Sequence, residues 1–172
     1  MADASLRVGL DANVLIAGIR LPRWPHEVMR ESLGPGFHLV LPEQVITEAI
    51  RHLPHPAQQA ELQSFLDDCR YEELPMPPRE RVKQNLDLVR SEKDVPIALA
   101  LLQGNVQVFV TNDRDFTDPT ATAQRFQDQV RVMLPAVFLR DVAGCSSDAL
   151  ERIRNRTWEG LVRQIEVKTD DT

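Results

Sequence analysis

Residues 6–16 read LRVGLDANVLI, and this stretch decides the architecture. Leu6 to Leu10 is a short apolar run of the kind that forms a buried strand. Asp11-Ala12-Asn13 follows, and the apolar stretch Val14 to Ile19 then reads as a helix start. A strand that passes straight into a helix through a short polar turn is the opening unit of a parallel sheet. Working outward, the same alternation repeats. Trp24-Pro25 reopens helix, which Gly34-Pro35-Gly36 stops. Phe37 to Leu41 predicts a second strand, and Pro42 suits the first turn of a helix with the apolar stripe Val45, Ile46, Ala49, Ile50 and Leu53. Ala57 to Cys69 is helical in pattern, Tyr71 to Leu74 fits a short edge strand, and Pro77-Pro78 opens a helix through Val82, Leu86 and Val89.

The most apolar helix begins at Asp94 and stops near Gly104-Asn105. Val106 to Thr111 and Val130 to Leu134 predict further strands, and Phe138 to Val142 and Asp148 to Ile165 further helices, before a polar tail from Lys168. Apolar strands alternating with helices predict an α/β protein, a three-layer α/β/α sandwich around a mostly parallel sheet of four to five strands. We expect one domain over residues 1–143, with residues 144–172 a helical extension and tail packed on it or following it.

Composition narrows the function. The 172 residues are 42% hydrophobic and 27% charged, as expected of an ordinary folded domain. The longest apolar run, Val95 to Leu102, is interrupted by Pro96 and falls far short of the ~20 residues of a membrane span. The N-terminus lacks the apolar core of a secretion signal, and two cysteines are too few for a disulfide framework, so a cytoplasmic location is expected. Twenty Lys and Arg against twenty-six Asp and Glu leave a net charge of −6. That excludes uniform electrostatic gripping of nucleic acid. It leaves open an enzyme that meets phosphate through a bound cation.

In open α/β sheets ligands bind beyond the carboxyl ends of the strands. Asp11 and Asp113 stand at such ends, and Asp94 heads a helix that can point back across the same edge. Glu48 and Glu43 flank the apolar stripe of one helix, and the helical wheel does not choose between them. Each acid has an ordinary structural use: Asp94 as a helix cap, Asp113 and Asp115 as turn formers, Glu48 on a solvated flank. Gathered on one edge, however, such acids repel one another unless a cation joins them.

Four segments in order resemble the PIN-domain family (PilT N-terminus-like), metal-dependent ribonucleases that include VapC-like toxins of toxin–antitoxin pairs. They are Asp11-Ala12-Asn13-Val14-Leu15-Ile16, Leu41 to Glu48, Lys93 to Ala100, and Val110 to Phe116; Leu134 to Leu139 looks like a late step of one subfamily. The resemblance implies that Asp11, Glu48, Asp94 and Asp113 are the catalytic metal-binding acids, with Asp115 a fifth. It also implies that Asn13 and Thr111 support the site by hydrogen bonds. It further carries the expectation of endoribonuclease activity, with an RNA substrate, an antitoxin protein and a second copy of the chain as partners.

All-oxygen ligation suits Mg²⁺ or Mn²⁺ rather than zinc. Asp11 and Asp113 are expected to hold a first ion, with Glu48 and Asp94 completing that shell and a weaker second one. Candidates for holding RNA are Arg20, Arg23 and Arg114, with the groups Arg79-Arg81-Lys83 and Arg152-Arg154-Arg156 also considered; Trp24 and Tyr71 are candidate stacking residues. The helix bearing Leu62, Phe65 and Leu66 is a candidate dimer face. Two rival readings are a catalytically silent PIN-like module that binds RNA or protein, and a metal-dependent phosphohydrolase acting on DNA.

Overall fold

The computed structural model describes residues 5–118 and 121–163. Five strands, Leu6–Leu10 (β1), Phe37–Pro42 (β2), Glu72–Leu74 (β3), Val108–Val110 (β4) and Arg131–Met133 (β5), form one sheet in the order β3-β2-β1-β4-β5. Every neighbouring pair is parallel. The first helices are Ala12–Arg20 (α1), Trp24–Glu31 (α2), Glu43–Arg51 (α3), Pro56–Cys69 (α4) and Arg79–Lys83 (α5). Val95–Gln103 (α6), Arg114–Thr117 (α7), Ala121–Gln127 (α8), Pro135–Asp141 (α9) and Ser147–Arg154 (α10) follow. α1 packs on α2, α3 and α4, and α2 packs on α9 and α10; α6 lies against β2 with α5 beside it. The architecture is the three-layer α/β/α sandwich. No described helix is long and apolar enough to cross a membrane.

Chain order explains where a ligand fits. From β1 the chain moves outward to β2 and β3, then returns to the other side of β1 for β4 and β5. This reversal parts the connections on the two sides and opens a crevice at the carboxyl ends of β1 and β4. Both strands are buried there: Val8, Leu10, Phe109 and Val110 have essentially no exposure. Phe109 packs against Phe116 of α7 and Phe126 of α8, with ring centroids 5.1 and 6.3 Å away. These aromatic contacts fix the loop that leaves β4, which carries the acids. On the other side, Gly18 lets α1 and α2 approach closely, because a Cβ there would run into the Met29 sulfur.

Four expectations need correction. The helix after Pro77-Pro78 ends at Lys83 and gives way to turns, so Leu86 is exposed while Leu88 and Val89 are buried. Asn85 donates its side-chain amide to the Arg81 carbonyl at 2.8 Å, and such side chains compete with helical backbone bonds. The C-terminal helix predicted to run from Asp148 to Ile165 instead breaks after Arg154 and resumes over residues 158–163; its expected end at Ile165 lies outside the described residues. The break lets Arg156 turn inward, where its side chain is 6% exposed and meets Glu27 at 2.9 Å. On α3, Val45 and Ala49 are buried but Ile50 is 38% exposed, so the apolar stripe is narrower than its sequence suggests. Of the expected dimer face Leu62, Phe65 and Leu66, the two leucines are buried in the chain's own core and Phe65 is half-buried against it.

Candidate metal centre

Asp11 ends β1 and caps α1, accepting a hydrogen bond from the Ala12 amide at 2.8 Å. Its other oxygen accepts from the Thr111 hydroxyl at 2.7 Å and from the Asn13 side-chain amide at 3.3 Å. Thr111, fully buried just after β4, accepts in turn from the Asp113 backbone amide at 2.9 Å. The Asn13 side-chain oxygen accepts from the Asn112 amide at 3.2 Å. The ends of β1 and β4 are thus laced together by the two polar residues expected to support the site. This matters because a buried carboxylate is costly unless hydrogen-bonded.

Beyond this lacing, one oxygen from each of Asp94, Asp113 and Asp115 lies within 4.8 Å of the others. Asp113 accepts from the Asp115 amide at 2.9 Å, capping α7 and aligning the two carboxyls. Asp94 comes from elsewhere: a 3₁₀ turn, Glu92–Asp94, brings it in at the head of α6. Its side chain caps nothing, so the ordinary helix-cap reading fails. Asp94 is 9% exposed, and its Oδ2 has no hydrogen-bond partner among the described residues. A buried, unsatisfied anionic oxygen beside two other carboxylates fits a cation. These three side chains can hold a metal ion, and an all-carboxylate donor set suits a hard one.

Electrostatics follow from the crowding. Burial pushes the Asp11 carboxyl from 3.8 up to about 6, against the pull of its bonds to Thr111 and Ala12, with the charges of Asp113 and Glu48 adding to the rise. Burial also pushes Asp94 from 3.8 up to about 6, and Asp113, Asp11 and Asp115 raise it further. Five acids from four separate segments therefore share one electrostatic neighbourhood. The closest cluster is Asp94, Asp113 and Asp115, with Asp11 held alongside by hydrogen bonds. Glu48 is exposed, on the wall of a polar cavity of about 610 Å³ that it shares with Glu43; it stands outside the Asp94, Asp113 and Asp115 cluster and bears on it only through its charge on Asp11.

The cationic candidates separate. Arg20 and Arg23 border a cleft that begins at Asn13, while Arg114 is exposed on the acidic turn. Arg156 is buried and pairs internally, whereas Arg152 and Arg154 are exposed, with Arg154 3.8 Å from Glu151. Trp24 and Tyr71 are half-buried against the core, and the Trp24 indole donates to the Leu150 carbonyl at 2.9 Å. Arg90, unnoticed in the sequence, reaches Asp115 at 3.6 Å and Asp118 at 2.9 Å. Its only sequence signal is a positive charge four residues before Asp94; nothing local links it to a turn about 25 residues later.

No family model matches the chain, and no curated protein matches it. Among solved structures, the crystal structure of PAE2754 from Pyrobaculum aerophilum is similar, with a TM-score of 0.52 and 16% identity over 81% of this chain and 97% of that one. At that identity the likeness shows a common fold and nothing further.

Proposed function

We propose that the protein is a metal-dependent endoribonuclease that hydrolyses RNA phosphodiesters with Mg²⁺ or Mn²⁺ at Asp94, Asp113 and Asp115, with Asp11 beside them. The observation that carries this reading is the unpartnered Asp94 Oδ2, buried among carboxylates at the sheet's switch point. Such a hard ion would supply positive charge to a scissile phosphate and acidify a bound water. Each side chain has a distinct part. Asp94, Asp113 and Asp115 bind; Asp11, fixed by Thr111 and Asn13, orients a water or ion along the crevice. Glu48, exposed nearby, adds negative charge toward Asp11 and would take up a proton released by an entering water.

Arg90 neutralises the outer face of Asp115 and presents a cation to a phosphate. The proposed ion sites differ from the expected pairing of Asp11 with Asp113, because three of Asp11's acceptor positions are taken by protein donors. The test is cleavage of single-stranded RNA in Mg²⁺ or Mn²⁺ by the wild type, Asp11→Asn and Asp94→Asn. Cleavage by the wild type that falls at least a hundredfold in both variants is the expected result; equal residual cleavage in all three rejects the site.

A further inference from the structure

Next to the acids lies a feature that the chemistry above does not use. A cleft of about 390 Å³ begins at Asn13, the side chain that donates to Asp11. Its floor is apolar, formed by Ile16, Leu21 and Pro25, and Leu21 is 43% exposed. Arg20 and Arg23 border it; each gives one guanidinium N–H to a backbone carbonyl, Arg20 to His52 at 3.1 Å and Arg23 to Arg156 at 3.5 Å, and neither forms an ion pair among the described residues, so their remaining donors stay free for an anion. No carboxylate lines it. In a chain of net charge −6, the overall field repels a polyanion, so affinity for one must come from local contacts of this kind.

The geometry points to a nucleobase subsite: the base of the nucleotide beside the scissile phosphate lies on Ile16, Leu21 and Pro25, while Arg20 and Arg23 meet its flanking phosphates. This rests on the ribonuclease reading and adds how the substrate is held. Three facts favour a base over other occupants. The cleft has the size of a small-ligand pocket. It combines an apolar floor with cations, as a flat, uncharged ring between two phosphates requires. It is also continuous with the acids through one residue, so its occupant is joined to whatever the metal centre binds.

The cleft is held in shape by the C-terminal segment. The Arg156 guanidinium donates to the Pro22 carbonyl at 2.7 Å and to Glu27 at 2.9 Å. The Arg156 carbonyl accepts from Arg23 Nε at 3.5 Å, and the Trp158 indole donates to the Arg20 carbonyl at 3.2 Å. The turn bearing Leu21 and Arg23 is thereby pinned before any substrate arrives, which lowers the ordering cost of binding.

The test is an anisotropy titration of the full chain with two fluorescein-labelled strands in Ca²⁺: a single-stranded RNA octamer and an abasic strand of the same length. Wild type, Leu21→Ser and the double variant Arg20→Gln/Arg23→Gln are compared, with thermal melts to establish folding. Leu21 is exposed, so its substitution leaves the fold intact. The subsite predicts that Leu21→Ser weakens RNA binding about tenfold and leaves the abasic strand unaffected. It also predicts that the double variant weakens both strands and lowers the salt slope by about 2. Leu21→Ser acting equally on both strands, or on neither, overturns the subsite. So does preferential capture of an acidic amphipathic peptide with RNA binding unmoved, which would make the cleft a protein-docking site. RNA that binds as predicted but is not hydrolysed in Mg²⁺ or Mn²⁺ removes the ribonuclease reading and leaves the subsite; hydrolysis with unchanged affinity in both variants does the reverse.

Discussion

Asp94→Asn should stabilise the metal-free protein and abolish its response to metal. In the folded chain Asp11 and Asp94 hold protons up to about pH 6, whereas in the unfolded chain they release them near 3.8. Between those values the native state binds more protons than the unfolded state, so stability falls as pH rises through this window and stays reduced above it. One unit is about 1.4 kcal/mol, so the penalty at neutral pH is at most on the order of 3 kcal/mol for either group alone, and the two overlap because the charge of Asp11 is part of what raises Asp94. Replacing the Asp94 carboxylate with an amide removes its share. Mn²⁺ acts in the opposite sense on the wild type: an ion bound only by the native state at a hundredfold excess over Kd adds about 2.7 kcal/mol. For a chain of this size that is a rise in Tm of roughly 5–10 °C.

The assay is scanning calorimetry at pH 5 and pH 7.5, in EDTA and in millimolar Mn²⁺, on the wild type and the variant. Comparing the two proteins cancels the titration of groups not coupled to Asp94. In EDTA the variant should melt above the wild type at pH 7.5, with the gap roughly halved at pH 5. The Mn²⁺ shift should be large for the wild type at pH 7.5, small at pH 5 where protons compete, and lost in the variant. A wild type that melts at one temperature in EDTA and Mn²⁺ at pH 7.5 would refute the metal centre. A variant less stable than the wild type in EDTA at that pH would refute the electrostatic account.

Thr111→Val removes the hydroxyl that joins Asp11 to the Asp113 amide; it should cost about 1–3 kcal/mol and most RNA cleavage, while Thr111→Ser keeps both, as chemical denaturation and initial rates will measure. Arg90→Gln should tighten Mn²⁺ binding about two- to fivefold by calorimetric titration, because a partly exposed pair with Asp115 is worth less than about 1 kcal/mol, and should slow cleavage by removing a cation from the phosphate path. Gly18→Ala should lower stability by about 1–3 kcal/mol through collision with Met29, read as a lower urea midpoint with unchanged slope. Expression of the chain in bacteria should arrest growth if it is a toxin, and Asp11→Asn should abolish the arrest; growth unaffected by the wild type would assign it another cellular role.

What could be read in the sequence was whatever depends on local pattern. β1, β2 and the segment around β4 are apolar runs between turn formers, and Asp11 and Asp113 follow directly at their ends. The site's long-range parts were harder. Asp94 reads as a helix cap in any local pattern; only the 3₁₀ turn that swings it inward leaves its Oδ2 unsatisfied. Glu48 and Glu43 are indistinguishable on a wheel, and in the structure both are exposed, Glu48 being the one whose charge bears on Asp11. Arg90 and Arg156 carry no local signal, since each acts on a residue brought near only by tertiary packing. The break of the last helix was also invisible: residues 148–165 suit a continuous helix, and the burial of Arg156 against Glu27 outweighs that preference.

The hydrogen bond from Thr111 to Asp11 joins residues 100 apart in the chain, and β1 lies in the middle of the sheet although it is made first. During translation, a polypeptide released or paused before residue 108 contains β1, β2 and β3 but neither β4 nor Asp113. Such a nascent chain has one side of β1 unpaired, a sticky edge until β4 docks. It also has no assembled centre. The cluster of Asp94, Asp113 and Asp115, and any metal affinity it confers, is therefore complete only after synthesis has passed residue 115.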